Sequence, residues 1–78
     1  MPKNHRDRLK RQAAQIYMGL ERVMEATIDL KAEFDPYHPE LSVALDAVLA
    51  GCLMNQEILT KFWTQAWGQE VIRWESWV

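Results

Sequence analysis

The sequence has few of the residues that stabilise small folds through covalent or metal bonds. Its 78 residues include one cysteine, Cys52, and two histidines, His5 and His38. A single cysteine cannot form a disulfide within the chain, and these three side chains are too few for a zinc cluster. Because a chain of this length is close to the lower limit for burying its own core, oligomerisation is the remaining source of support. We therefore expect one domain without a metal or cofactor.

The arrangements that carry catalysis are also missing. Neither histidine has an adjacent serine or cysteine that it would activate as a nucleophile. The three glycines are too scattered for a phosphate-binding loop. The Glu-x-x-His motif of carboxylate-bridged metal bundles is absent as well. We predict that the protein is not an enzyme and that Cys52 is an unreactive core residue.

A long uncharged hydrophobic run is missing too. The most apolar stretch, LSVALDAVLAGCLM, covers residues 41–54 and contains Asp46. It is shorter than the roughly 20 residues that cross a bilayer. The basic start of the chain is followed by Glu21 and Arg22, which interrupt any signal-peptide core. We therefore expect no membrane span, no secretory signal and a cytoplasmic location.

Proline occurs only at positions 2, 36 and 39, so that residues 3–35 contain no helix breaker. Apolar residues in this segment recur at alternating spacings of four and three, which indicates a helix with one buried seam. We predict a first helix from about residue 5 to residue 34. Its seam consists of Leu9, Ala13, Ile16, Leu20, Val23, Thr27, Leu30 and Phe34.

The same spacing predicts a second helix over residues 39–67. Pro39 suits the first turn of a helix, and Gly68 suits the position just after a helix end. Two helices of similar length joined by a loop at residues 35–38 indicate an antiparallel hairpin in an all-α fold. Residues 69–78 form a Trp-rich C-terminal segment whose spacing is compatible with a short third helix. The second seam consists of Leu41, Leu45, Val48, Cys52, Asn55, Leu59, Phe62 and Ala66.

The second helix is apolar around most of its circumference over residues 41–54, and such a helix must be covered on more than one side. We therefore predict a homodimer that forms a four-helix bundle. Asn55 has two interpretations, a hydrogen-bonded core amide or a determinant of register and oligomeric state. The predicted dimer or core residues are Leu45, Val48, Cys52, Asn55, Leu59, Phe62 and Trp63.

Four tryptophans, Trp63, Trp67, Trp74 and Trp77, lie in the last 17 residues. They either cover the open side of the second helix or form anchors for a partner, since tryptophan is enriched at binding hot spots. We expect Trp63 and Trp67 to be packed, with Trp74 and Trp77 nearer to a partner. The predicted partner-binding residues are Trp67, Trp74, Trp77 and Arg73.

Charge is divided unevenly along the chain. Residues 1–11 carry five basic side chains and one acidic one, whereas the other 67 residues carry four basic and ten acidic side chains. The basic head is a candidate contact for nucleic acid or for an acidic partner. One hypothesis places it against the acidic residues of a second copy, and the alternative is a solvated surface. The basic residues are Arg6, Arg8, Lys10 and Arg11. The acidic residues lie four apart and are predicted to form an acidic row along one face of the first helix: Glu21, Glu25, Asp29 and Glu33.

These features together predict a non-catalytic protein–protein interaction module, such as an adaptor, assembly chaperone or inhibitor of a larger protein. One alternative is a small nucleic-acid-binding regulator that uses the basic head. A second alternative is a structural subunit of a larger assembly, in which another protein covers the second helix.

Overall fold

A computed structural model describes residues 3–68 and 71–78. The chain forms helix α1 over Lys3–Phe34, helix α2 over Pro39–Trp67 and a 3₁₀ helix over Trp74–Trp77. The all-α prediction is confirmed, because the described residues contain helices and no strand. Of the predicted C-terminal segment, residues 69 and 70 lie outside the described part.

The turn between α1 and α2 is tight because its backbone groups bond to the helix ends. The Asp35 and His38 amides donate to the carbonyls of Lys31 and Phe34 at 2.8 and 2.7 Å. Pro39 then begins α2, where its missing N–H loses no helical hydrogen bond. Residues 35–38 therefore reverse the chain, and α2 returns along α1.

The end of α2 is set by glycine. Gly68 has a φ of 69° and a ψ of 23°, a left-handed conformation that side chains disfavour. Its amide donates to the Thr64 carbonyl at 2.8 Å, which satisfies one of the last helical carbonyls. The chain can then fold back, and the 3₁₀ helix packs on α1 near the end opposite the turn. We call this the free end, and the end at residues 35–38 the loop end.

The interface between the helices uses only half of the seam predicted for α1. Ala13 and Thr27 are buried there as expected. Ile16 is 56% exposed, and Val23 and Leu30 are also exposed. In place of these three residues, the residue that follows each of them faces α2. These residues are Tyr17, Met24 and Lys31, and all three are half-buried. The contact face of α1 is therefore rotated from the predicted one.

Helix α2 is rotated in the same sense. Cys52 is buried as predicted, with Leu45 and Leu59 half-buried beside it. The exposed members of its predicted seam are Leu41, Val48, Asn55, Phe62 and Ala66. The places of the first four are taken by Ser42, Leu49, Gln56 and Trp63.

Aromatic size explains this rotation. Trp63 is 1% exposed, whereas its neighbour Phe62 is 50% exposed. Both cannot face α1, and burying the larger ring removes more apolar surface from water. Turning Trp63 inward also turns the rest of its row, since residues seven apart lie on the same side of a helix.

The buried polar residue between the helices is Gln56 and not Asn55. The Gln56 amide nitrogen donates to the Tyr17 carbonyl at 3.2 Å and to the Glu21 carboxylate at 3.0 Å. Asn55 points away from α1 and is exposed in the single chain. The prediction that Asn55 sits in the hairpin seam is therefore wrong, because the seam is rotated by one residue.

The folded chain has a larger solvent-accessible surface than a compact protein of the same mass. Its accessible surface is 5783 Å². A compact monomeric protein of 9.2 kDa exposes about 4,900 Å². The excess follows from a rod-like shape of 54 × 20 × 16 Å.

By length and composition alone, α2 is also apolar enough to cross a membrane.

Candidate protein-binding surface

The core lies at the free end and is built around Trp63. Its ring meets the rings of Trp67, Trp74 and Trp77 at centroid distances of 4.8, 5.1 and 5.8 Å. All three contacts are edge-to-face, which places the positive edge of one indole against the negative face of another. The C-terminal segment thus joins α2 through aromatic contacts.

A lysine from α1 completes this cluster. The Lys10 ammonium lies 5.5, 5.6 and 5.4 Å from the ring centroids of Trp63, Trp67 and Trp77. Such distances allow cation–π attraction to each ring. Among the residues predicted for nucleic acid, Lys10 is therefore turned inward, while Arg6, Arg8 and Arg11 are exposed.

Trp74 is not an exposed anchor, contrary to the prediction. It is 7% exposed, and its ring stacks on Tyr17 with a centroid distance of 4.1 Å and an interplanar angle of 4°. Burial follows because the 3₁₀ helix packs on α1. Trp67 and Trp77 are half-buried, and Arg73 is exposed.

The Trp63 indole N–H has no hydrogen-bond partner within the described residues. Other atoms of Trp63 line a cavity of about 400 Å³ together with Ile72, Arg73, Ser76 and Trp77. An unpaired buried donor costs about 1–3 kcal/mol. The tight packing of the aromatic rings offsets this cost.

An apolar groove lies on one side of the hairpin, next to the tryptophan cluster. It has a volume of about 420 Å³ and is lined by both helices. Leu9 and Ile16 come from α1, and Ile58 and Phe62 come from α2. Ile16 and Phe62, two residues displaced from the predicted seams, therefore lie on the same side of the molecule.

Heptad spacing extends the groove into a continuous surface, because residues seven apart follow one side of a helix. We call this surface the open face. Its large apolar members other than Leu9 are at least two-fifths exposed. The open face consists of Leu9, Ile16, Val23 and Leu30 of α1 and of Leu41, Val48, Asn55, Ile58 and Phe62 of α2.

Two glycines adjoin the middle of the open face. Gly19 follows Ile16 by three residues, and Gly51 precedes Ile58 by seven. A methyl group added at Gly19 would meet only the end of the Arg22 side chain at 3.9 Å, and one added at Gly51 would meet nothing within 4 Å. Space above these positions is therefore available to another molecule.

The predicted acidic row does not form a single face. Each step of four residues advances about 40° around a helix, so Glu21 and Glu33 are separated by about 120°. Glu21 is half-buried and accepts the Gln56 hydrogen bond. Glu25, Asp29 and Glu33 are exposed. Only the last two lie near the open face, where Asp29 precedes Leu30 and Glu33 follows it by three residues.

The predicted dimer or core residues divide into two groups. Leu45, Cys52, Leu59 and Trp63 lie on the side of α2 that faces α1, whereas Val48, Asn55 and Phe62 lie on the open face. The sequence prediction missed Gln56 and the inward position of Lys10. Heptad spacing does connect Ser42, Leu49, Gln56 and Trp63. Because Ser42 and Gln56 are polar, a search for regularly spaced apolar residues does not select this row.

Among the described residues, no three histidine, cysteine, aspartate or glutamate side chains are close enough to share a metal ion. Comparison with known proteins finds no matching family model, no matching curated protein and no matching solved structure.

Proposed function

We propose that this protein is a non-catalytic protein–protein interaction module and that the open face is its binding surface. The observation that carries the proposal is the pair of exposed apolar rows that both helices turn to the same side. Removing such a surface from water is favourable, with a free energy of about 25 cal/mol for each Å² of apolar area buried. Large contiguous apolar patches of this kind mark interaction sites in soluble proteins.

The opposite side of the hairpin is a weaker candidate. Val43 and Leu53 are exposed there on α2. The adjoining surface of α1 carries exposed Ile28, but it also carries Arg11 and Glu25, so charged groups interrupt the apolar residues on that side. A partner on that side would have to cover charged groups, which costs free energy unless each is paired.

A membrane is a less suitable partner than a protein. Helix α2 is long and apolar enough to span a bilayer. It is tied to α1 through Gln56, however, and α1 carries charged residues along its outer side. Inserting α2 would either break this tie or bring those charges into hydrocarbon, where each is strongly unfavourable.

The nucleic-acid alternative is also less well supported. Lys10 contacts three tryptophan rings, which reduces the number of cations free to meet phosphate. Asp7 lies between Arg6 and Arg8 and lowers the local positive charge further. An adaptor, an assembly chaperone, an inhibitor and a structural subunit all require an apolar docking surface, so the open face serves each of these roles.

Affinity capture with matched variants tests the proposal. The tagged wild-type chain is compared with an Ile16→Gln/Phe62→Gln variant, in which two open-face residues become polar. The control is an Ile28→Gln/Val43→Gln variant, which changes exposed apolar residues outside the open face. We expect the wild type and the control to retain the same protein, including untagged copies of the chain, and the open-face variant to lose it. Equal retention by all three would refute the proposal, provided that circular dichroism shows each variant folded.

A further inference from the structure

We infer that the open face binds a second copy of this chain, with the two hairpins packed face to face and pointing in opposite directions. This inference rests on the proposed function and names its partner. The area of the open face, the charges at its edges and the space above the nearby glycines each favour a second copy as the partner.

The available area fits a dimer of this chain. A rod 54 Å long and 20 Å wide presents a broad side of the size that a stable interface covers, about 800 Å² on each partner. The accessible surface of 5783 Å² exceeds that of a compact protein of the same mass by a similar amount. Pairing the open faces of two copies would remove this excess in both.

Charges at the edges of the open face are segregated by end. Arg8 directly precedes Leu9 at the free end of α1, and Lys61 directly precedes Phe62 at the free end of α2. Glu33 and Glu40 lie at the loop end. All four side chains are exposed. Each edge therefore runs from basic at the free end to acidic at the loop end.

This polarity selects the direction of the second copy. A two-fold axis that crosses the middle of the open face places α1 on α1 and α2 on α2, each pair antiparallel. Arg8 then approaches Glu33 of the second copy, and Lys61 approaches Glu40 of the second copy. With the free ends together, Arg8 would instead lie near Lys61 of the second copy, and like charges disfavour such an arrangement.

Glycine positions allow the close approach that this packing needs. Gly19 and Gly51 lie near the middle of the open face, and little or nothing stands above them. Side chains of the second copy can fill these gaps, as knobs fill holes in a helical bundle. A four-helix bundle therefore forms without moving the existing helices.

The first test is the oligomeric state of the intact chain. We expect sedimentation equilibrium to give the mass of a dimer, and the Ile16→Gln/Phe62→Gln variant to remain monomeric. Arg8→Glu should raise the dissociation constant about three- to tenfold, since the exposed pair occurs twice in a symmetric dimer. Adding Glu33→Arg to Arg8→Glu should recover most of that loss, because the pair is restored with its signs exchanged.

The second test is the direction of packing. Val23→Cys places a thiol near the proposed axis, where a short bis-maleimide crosslinker would join the thiols of two copies. Leu9→Cys is the matched control on the same row, because antiparallel packing separates its two copies by more than roughly 30 Å. The wild type controls for Cys52, which is buried. Crosslinking of Leu9→Cys without Val23→Cys would overturn the antiparallel arrangement.

The remaining outcomes separate this inference from the proposed function. A wild-type chain that stays monomeric at every concentration, yet captures a different protein through Ile16 and Phe62, overturns the inference and leaves the proposed function standing. A chain that stays monomeric and binds only vesicles of phosphatidylcholine and phosphatidylglycerol overturns both.

Discussion

At the scale of single residues, the free end is held by contacts between unlike chemical groups. The Lys10 ammonium meets three indole faces, and the Trp74 ring lies flat on Tyr17. These contacts join α1 to the C-terminal segment. Their loss should release that segment before the helices separate.

Lys10→Met tests the role of the ammonium group. Methionine keeps a similar unbranched shape but removes the charge. We expect the free energy of unfolding to fall by about 1 kcal/mol, because cation–π attraction to partly buried rings has about this strength. Chemical denaturation followed by circular dichroism measures the change. Lys10→Arg, which retains a cation, should lose less, and an equal loss in both variants would show that charge is unimportant.

Gln56→Glu tests the polar contact between the helices. The new carboxylate would replace the amide that now donates to Glu21 at 3.0 Å. Two carboxylates at that distance repel, and we expect a loss of about 1–3 kcal/mol at neutral pH. Protonation of either group should reverse part of the loss in acid. Gln56→Leu is the control, since its loss should not depend on pH in this way.

At the scale of the helices, the sequence predicts where each helix ends better than it predicts which side of the helix is buried. Pro36, Pro39 and Gly68 act locally, so the sequence alone places the turn near residues 35–38 and the end of α2 at residue 67. The residues that form the seam depend instead on which large side chain is buried between the helices. Trp63 displaces Phe62 because it contacts Trp67, Trp74 and Trp77, and apolar spacing along one helix does not reveal those contacts.

Gly68→Ala tests the helix end. The glycine has a φ of 69°, and a methyl group added there would meet no atom within 4 Å. The cost is therefore purely one of backbone conformation, and we expect a loss of about 1 kcal/mol. Thermal unfolding measures it. Gly51→Ala is the control within α2, where alanine favours a helix and should leave the monomer as stable or more stable.

The loop end should weaken in acid. Hydrogen bonding by the Ser42 side chain and then by Lys31 lowers the pKa of Asp35 below its ordinary value of 3.8. A carboxyl whose pKa is lower in the folded state stabilises the fold above the ordinary value, and this contribution is lost as pH falls through the folded value. We expect Asp35→Asn to be less stable than the wild type at neutral pH. The difference should shrink below pH 3.8.

At the scale of the whole molecule, the chain buries its core at one end and leaves an apolar surface along its length. The sequence prediction that α2 needs further cover agrees with the exposed rows of the open face, although the rows themselves were first placed in the hairpin seam. What the sequence could not supply was the rotation that turns both rows to one side. That rotation accompanies the burial of Trp63, whose ring packs against Trp74 and Trp77 of the C-terminal segment.

Thermal stability should therefore depend on protein concentration. If two copies share the open face, a hundredfold rise in concentration adds up to about 2.7 kcal/mol to the stability of the folded form by mass action. We expect the wild-type melting temperature to rise across that range. The Ile16→Gln/Phe62→Gln variant should melt at one temperature throughout, and a constant wild-type value would contradict the prediction.

The location of the tryptophans has a practical consequence. All four belong to the last 17 residues, and the structure gathers them at the free end. Intrinsic fluorescence will therefore report the opening of that end and remain nearly silent when the turn at residues 35–38 frays. A chain that looks intact by its emission spectrum can already have lost the hydrogen bonds at its other end.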